Sequence, residues 1–314
     1  SYADLAKEVK QVFIALHGRP GEDGAVQEQL EKVGLTYNGS GKESSSITID
    51  KFRTNEILMK HGFLAAKHCL ITNDDWKNNK DKVKQTLQND YVYPLIAKPV
   101  DDGCSSAVKM IKNFEEFEAF ATLIFRSSEA FDAKAAEILH IKDKEEFPQK
   151  TVLLVEELIS KNGAKHFLEI TGGMLTKMNA KGEVEYEVFE ASEALASGEI
   201  LSLEEKFLAG QGQNITPARY HKNEKTRLAI SKQVQQVLVE GAKVLNVQGY
   251  CRIDAFVRID KKNNPEVVFI EVNSLPGMTP ATAIFHQCAL NGYKPYEFID
   301  AILEFGAART AKGL

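Results

Sequence analysis

Between Gly249 and Asn273 two apolar-rich segments flank Asp260-Lys261-Lys262-Asn263-Asn264-Pro265, a turn-forming cluster. A hairpin symmetric about that turn sets Arg252 opposite Asn273, Asp254 opposite Glu271 and Phe256 opposite Phe269. Strand alternation puts these six on one side of the sheet. The other side receives Ile253, Ala255, Val257, Val268, Ile270 and Val272, all apolar. A one-residue slip would bury the charges and expose the apolar set, so the pattern argues for its own register. The polar side carries two facing carboxylates, whose mutual repulsion a divalent cation would relieve. Oxygen donors from Asp254, Glu271 and the Asn273 amide suit Mg²⁺, which keeps waters and accepts phosphate oxygens. Arg252 adds a planar fork for phosphate or a developing oxyanion.

A second signal accompanies the first. Leu95-Ile96-Ala97 reads as a strand ending in Lys98-Pro99, and Val108 to Ile111 returns as another. The connecting loop, Val100 to Ser106, is rich in small residues whose backbone N–H groups could cradle phosphates beside Lys98. Together, hairpin and loop make sense as a nucleotide site.

Around them the chain is α/β. Residues 1–10 read as the end of a helix, and Val12 to Leu16 as a short buried parallel strand. The turn-rich loop His17 to Gly24 leads to a helix over Ala25 to Val33. Asp50 can cap a helix from Lys51 to about His61, closed by Gly62. Residues 113–141 read as helical, with Phe114, Phe117, Phe120, Ala121 and Ile124 at helical spacing. Charged Lys142 to Lys150 reads as a linker. Val152 to Val155 is a strand entering Glu156-Glu157; two further strands flank Gly172-Gly173, and another follows the Lys181-Gly182 turn. Residues 190–216 lack apolar periodicity and read as a lid-like loop. Residues 223–245 form an amphipathic helix, and two helices follow the hairpin. The expected parts are a partial N-terminal open α/β domain (1–48), a small central α+β subdomain (49–148) and a larger C-terminal α+β subdomain (149–314).

Composition bounds the function. A net charge of −5 argues against a nucleic-acid partner. No apolar run reaches transmembrane length, and Cys69, Cys104, Cys251 and Cys288 lack metal-ligand spacing. A soluble, cytoplasmic protein with reduced thiols is expected.

Three stretches then resemble one family: ALHGRPGEDGAVQEQLEKVGLTYNGSG, LIAKPVDDGCSS, and GYCRIDAF followed by FIEVNSLPGMTPAT. They are similar to the D-alanine–D-alanine ligases of the ATP-grasp superfamily, over about Phe13 to Leu303. The resemblance implies an ATP-dependent ligation of two D-amino acids in cell-wall (peptidoglycan) precursor synthesis. ATP phosphorylates one carboxylate, and the amine of the second substrate attacks the acyl phosphate. Carried over by position, it implies that Lys51, Lys98 and Lys206 contact ATP phosphates. Glu156, with Glu157 beside it, would accept from the adenine amino group, and Ile159 would contact the purine edge. Asp254, Glu271 and Asn273 would hold two Mg²⁺ ions, with Mn²⁺ as a substitute. Arg252 and the Gly277 amide would form an oxyanion hole; Thr282 and Ala283 would receive the second substrate's carboxylate, and His17 would lie near the first substrate. It is compatible with a homodimer and with an upstream domain of the same chain.

The chain also departs from the pattern. The Gly-rich strand–turn–helix that carries a substrate-side glutamate in the family would be expected ahead of residue 1. Phe207 stands where a tyrosine is common, Cys104 (followed by Ser105) where its serine partner is expected, and the ribose-binding glutamate falls near Lys165 or His166. These changes leave two alternatives open: a ligase whose acceptor is D-lactate, or an ATP-binding C-terminal half that is inactive alone.

Overall fold

The computed structural model describes residues 1–102, 107–142, 145–195, 214–279 and 282–312. The chain forms two compact units. One contains Ser1–Ala65, Lys161–Leu195 and the chain from 214 onward; the other contains Ala66–Ser160.

The first unit is built on a seven-stranded sheet. Its spine is a 13-residue strand, His166–Met178, lying antiparallel to Tyr250–Ile259, which pairs in turn with Pro265–Asn273. Leu64–Ala65 adds a parallel edge. On the far side of the spine lie Val184–Val188 and Ser192–Ala194, and Asn214–Ile215 pairs with the latter. The expectation of two strands interrupted at Gly172-Gly173 is therefore corrected, because the strand runs straight through. The glycines are there for close approach. A Cβ at Gly172 would collide with Leu238, and one at Gly173 with Gln287 and Ile284, so side chains from both layers press onto the bare backbone.

Those layers explain the apolar patterning. The helix Glu224–Val244, capped by Asn223, packs Ile230, Val234 and Leu238 against Ile253, Ala255 and Val257. The opposite face carries Leu175, Tyr250 and Leu275 against Ile284 and Phe298 of the helices Ala283–Leu290 and Pro295–Lys312. Ile14, Leu30 and Tyr37 from the N-terminal segment join that same core. The buried strand expected over Val12 to Leu16 shrinks to a two-residue parallel bridge, Gln11–Val12 with Thr36–Tyr37; Phe13 and Leu16 are exposed. Beyond the bridge a side chain replaces the ladder. Asn38 Oδ1 accepts from Ile14 N at 2.6 Å, and Asn38 Nδ2 donates to Ile14 O at 3.2 Å.

The hairpin follows the expected register at its functional end and departs from it elsewhere. Arg252 faces Asn273 and Asp254 faces Glu271, but Ala255 then faces Phe269 and Phe256 faces Val268. The extra residue, Ile270, is a β-bulge, and it flips the parity of everything between it and the turn. Phe269 and Val267 enter the core, and Val268 and Ile270 do not join that cluster. Phe269 meets Phe63 edge-on at 5.6 Å, and Phe256 stacks on Phe167 at 5.2 Å.

The second unit has a four-stranded antiparallel sheet ordered His68–Thr72, Val152–Glu157, Leu95–Pro99, Lys109–Ile111. Phe117, Phe120 and Leu123 of the helix Phe114–Ile124 fill its core. The single helix expected over 113–141 is instead two, because the chain leaves helical geometry after Ile124 and restarts at Ala133–Ile138, where Asp132 caps Ala135 N. Of the expected loop 190–216, both ends are strand, and 196–213 lies outside the described residues. No described helix is long and apolar enough to cross a membrane.

Candidate active site

The polar side of the hairpin gathers the expected Arg252, Asp254, Glu271 and Asn273, and Lys51 and Thr171 join them. Thr171, register partner of Asp254 on the spine strand, donates its hydroxyl to Asp254 Oδ1 at 2.6 Å. Arg252 Nε lies 3.3 Å from the same oxygen. Lys51 opens the helix Lys51–Lys60, whose N-cap Asp50 accepts from Arg53 N, and its ammonium lies 3.4 Å from Glu271 Oε2. All four charged side chains are largely buried. The facing carboxylates are therefore already balanced by two cations: Arg252, which the alternation had set beside them, and Lys51, which comes from outside the hairpin.

These donors fit a hard divalent cation. Asp254, Glu271 and the Asn273 amide offer oxygen ligands on one side of the hairpin, and buried Asn273 Nδ2 has no partner among the described residues. No group of three His, Cys, Asp or Glu poised for a metal occurs among the described residues. Two carboxylates and an amide leave positions for water or phosphate, the usual arrangement for Mg²⁺ at a phosphate-transfer site.

A second cluster lies in the same unit and was only half legible. His17 Nδ1 is 2.8 Å from Glu22 Oε2 and 3.0 Å from Leu275 O. Glu22 is buried; Oε2 also accepts from Gly18 N at 2.6 Å, and Oε1 from Leu275 N at 2.7 Å. One carboxylate thus ties the loop His17 to Gly24 to the segment leading to Gly277. The sequence assigns Glu22 no site role beyond standing, with Glu43, as a substitute for the family's substrate-side glutamate. The available signal was an acid inside a glycine-rich turn, where backbone N–H groups seek an acceptor. Gly277 is half-buried beyond this tie. Thr282 caps the helix Ala283–Leu290, but its hydroxyl donates to Thr279 O at 2.7 Å and makes no side-chain cap, and Ala283 is buried at the first helical position.

In the second unit Lys98 and Glu156 are both buried and meet directly at 2.6 Å. Adjacent strands place them, with Ile96 opposite Glu156 and Lys98 opposite Leu154. Glu157 points the other way and is exposed; its carboxylate accepts from Lys67 N at 3.0 Å. Ile159 is half-buried just past the strand end. Lys150 bonds Asp101 at 2.9 Å and Asp102 at 2.7 Å. Burial pulls the Lys150 ammonium down, but the two aspartates outweigh it and hold it above its ordinary range. Cys104, Ser105, Lys206 and Phe207 lie outside the described residues. Cys69, Cys251 and Cys288 are free thiols, and burial pushes each above its ordinary range.

Two solved structures share this arrangement of strands and helices. The D-alanine–D-alanine ligase from Coxiella burnetii superposes with a TM-score of 0.67 at 22% identity, covering 97% of this chain and 70% of that one. The VanG D-Ala:D-Ser ligase from Enterococcus faecalis gives 0.69 at 24%, covering 95% and 73%. The fold is that of the ATP-grasp class. The family model described as D-ala D-ala ligase C-terminus matches residues 57–134 and 133–304. A D-alanine–D-alanine ligase of Leptospira interrogans serogroup Icterohaemorrhagiae serovar Lai is 30% identical over 302 residues, 95% of this chain and 74% of that protein. The chain belongs to the D-alanine–D-alanine ligase family, ligases that form carbon–nitrogen bonds.

Proposed function

We propose that the chain joins D-alanine to a second D-amino acid at the expense of ATP. The observation that carries this is the Asp254–Glu271 register with Arg252 and Asn273 beside it, in a chain of this family. The first substrate's carboxylate attacks the γ-phosphate and ADP leaves. The second substrate's amine then attacks the acyl phosphate, and inorganic phosphate leaves as the peptide bond forms. Asp254, Glu271 and Asn273 would hold two Mg²⁺ ions, which would neutralise phosphate charge. Bound phosphate would give Lys51 and Arg252 a second anion to pair with, beside the carboxylates of Glu271 and Asp254. Arg252 and the Gly277 amide stabilise the developing oxyanion. Lys98, Glu156, Ile159 and Lys206 belong to the nucleotide-binding set. The first substrate lies near His17, which Glu22 holds in place. The second presents its carboxylate to Thr282 and Ala283, where a helix N-terminus favours an anion.

The test is a phosphate-release assay with ATP, Mg²⁺ and D-alanine, with mass-spectrometric detection of the dipeptide. Dipeptide formed in step with phosphate supports the proposal. Phosphate release that is independent of D-alanine, with no dipeptide, overturns it. D-Lactate supplied beside D-alanine as acceptor reports whether the product is an amide or an ester.

A further inference from the structure

The polar contacts of Asp254 lead away from the hairpin along a path that the ligation scheme leaves unused. Thr171 donates to Asp254 Oδ1 from the neighbouring strand, at the shortest distance that any group keeps from that oxygen among the contacts described above. The backbone of Thr171 is itself held from outside the sheet. Gln287, on the helix Ala283–Leu290, is fully buried, and its Nε2 donates to Thr171 O at 2.7 Å and to Ser192 Oγ at 2.9 Å. Ser192 is the register partner of Thr171 on the other flank, and its hydroxyl meets Thr216 Oγ1 at 2.6 Å. The amide fits because residue 173 is glycine; a Cβ there would run into Gln287 Oε1 and Ile284.

A primary amide with no solvent exposure, pressed against bare backbone, is a costly way to fill a core. An apolar side chain would fill the same space without needing partners. What the amide adds is direction: two donors that fix Thr171 and Ser192 relative to the helix that begins at Thr282. The Thr171 hydroxyl in turn engages Oδ1, one of the two Asp254 oxygens.

We propose that Thr171 is a positioning residue for the Asp254 carboxylate, and that Gln287 acts through Thr171 by holding its backbone. This rests on the proposal that Asp254 is a metal ligand. The Thr171 hydroxyl sets the carboxylate plane, so that binding of Mg²⁺ with nucleotide does not have to order it. Gln287 links that setting to the helix proposed to receive the second substrate.

The test is calorimetric titration of the chain with ATP and Mg²⁺, using wild type, Thr171→Val, Thr171→Ser, Gln287→Met and the Thr171→Val/Gln287→Met pair, with unfolding midpoints measured alongside. Thr171→Val keeps the shape and removes the hydroxyl, and it should weaken Mg²⁺–ATP binding by about tenfold, the scale of a hydrogen bond to a charged group. Thr171→Ser restores the hydroxyl and should bind within about threefold of wild type, a rescue that a purely structural role would not give. Gln287→Met should weaken binding in the same direction, and the double variant should lose less than the product of the two single effects, because both act on one carboxylate. Unchanged binding in Thr171→Val, or equal loss in Thr171→Val and Thr171→Ser, overturns the role of Thr171. Independent multiplication of the two losses overturns the path through Gln287. Failure of wild type to bind Mg²⁺–ATP overturns the nucleotide assignment and this proposal with it; binding by wild type and unchanged binding by Thr171→Val overturns this proposal alone.

Discussion

Two sheets of this protein each bring acids and bases out of water, and they do so differently. In the small sheet Lys98 and Glu156 meet directly at 2.6 Å, one charge consuming the other. On the hairpin of the large sheet Lys51 and Arg252 stand back from Glu271 and Asp254, at 3.4 and 3.3 Å. A closed pair is dear to break, because removing one partner strands a buried charge. The hairpin foursome spreads its charges over more partners, with Thr171 donating to Asp254 Oδ1 at 2.6 Å as well. On the proposed function, losing Glu156 should cost mainly stability and losing Asp254 mainly activity, a separation of the two roles.

That separation can be broken by substitution. The largest effect is expected at Asp254. Asp254→Ala should lower dipeptide turnover by about a thousandfold or more, the scale of several kcal/mol of lost phosphate-charge stabilisation. Its circular dichroism spectrum should stay that of wild type, and turnover within about tenfold of wild type would remove Asp254 from the chemistry.

Next comes Glu156→Leu, which strands the Lys98 ammonium. Urea unfolding should show a loss of about 3–5 kcal/mol, and the double variant Lys98→Met/Glu156→Leu should recover much of it. If the single variant unfolds no more easily than Asp254→Ala, the two regions do not differ in the way described.

Gly173→Ala tests the close approach behind the hairpin. Its Cβ forces Gln287 or Ile284 to move, and a cost of about 1–3 kcal/mol is expected in the same unfolding assay. An unchanged midpoint would mean the helix Ala283–Leu290 shifts freely on the strand.

The smallest effect belongs to a pair intermediate between the two kinds. Arg219 Nη2 meets Glu193 Oε1 at 2.7 Å, with the arginine largely exposed. Burial pushes the Glu193 carboxyl up, but the Arg219 hydrogen bonds outweigh it and hold the group below its ordinary value of 4.5. A carboxyl depressed in the folded state stabilises the fold above the unfolded value, and that contribution is lost as pH falls through the folded one. Unfolding midpoints of wild type and Glu193→Gln should therefore differ slightly near pH 6 and converge as the pH drops below 4.5. A constant gap across that range would show that the pair contributes nothing through its charge.

The residues that were legible share a local cause. The Asp50 cap, the Lys98-Pro99 strand end and the pairing of Asp254 with Glu271 depend on neighbours in sequence or across one turn, so pattern suffices to find them. The Ile270 bulge escaped because alternation alone does not report an inserted residue, and it put Val267 and Phe269, in place of Val268 and Ile270, into the cluster under the helix Glu224–Val244. Gly172-Gly173 resembled a turn, because a sequence shows missing side chains without showing what presses into their place.

By itself, then, the sequence determined the α/β class and the two carboxylates facing each other on a hairpin, since period-2 alternation and turn chemistry act over a few residues, and the resemblance of three stretches pointed to the family. Only the tertiary structure decided the other partners of those charges: Lys51 against Glu271, Thr171 on Asp254, Glu22 bridging Gly18, His17 and Leu275. Glu22 and Leu275 are 253 residues apart in the chain. Nothing in local propensity brings such groups together; packing of the N-terminal segment and the sheet around one core does.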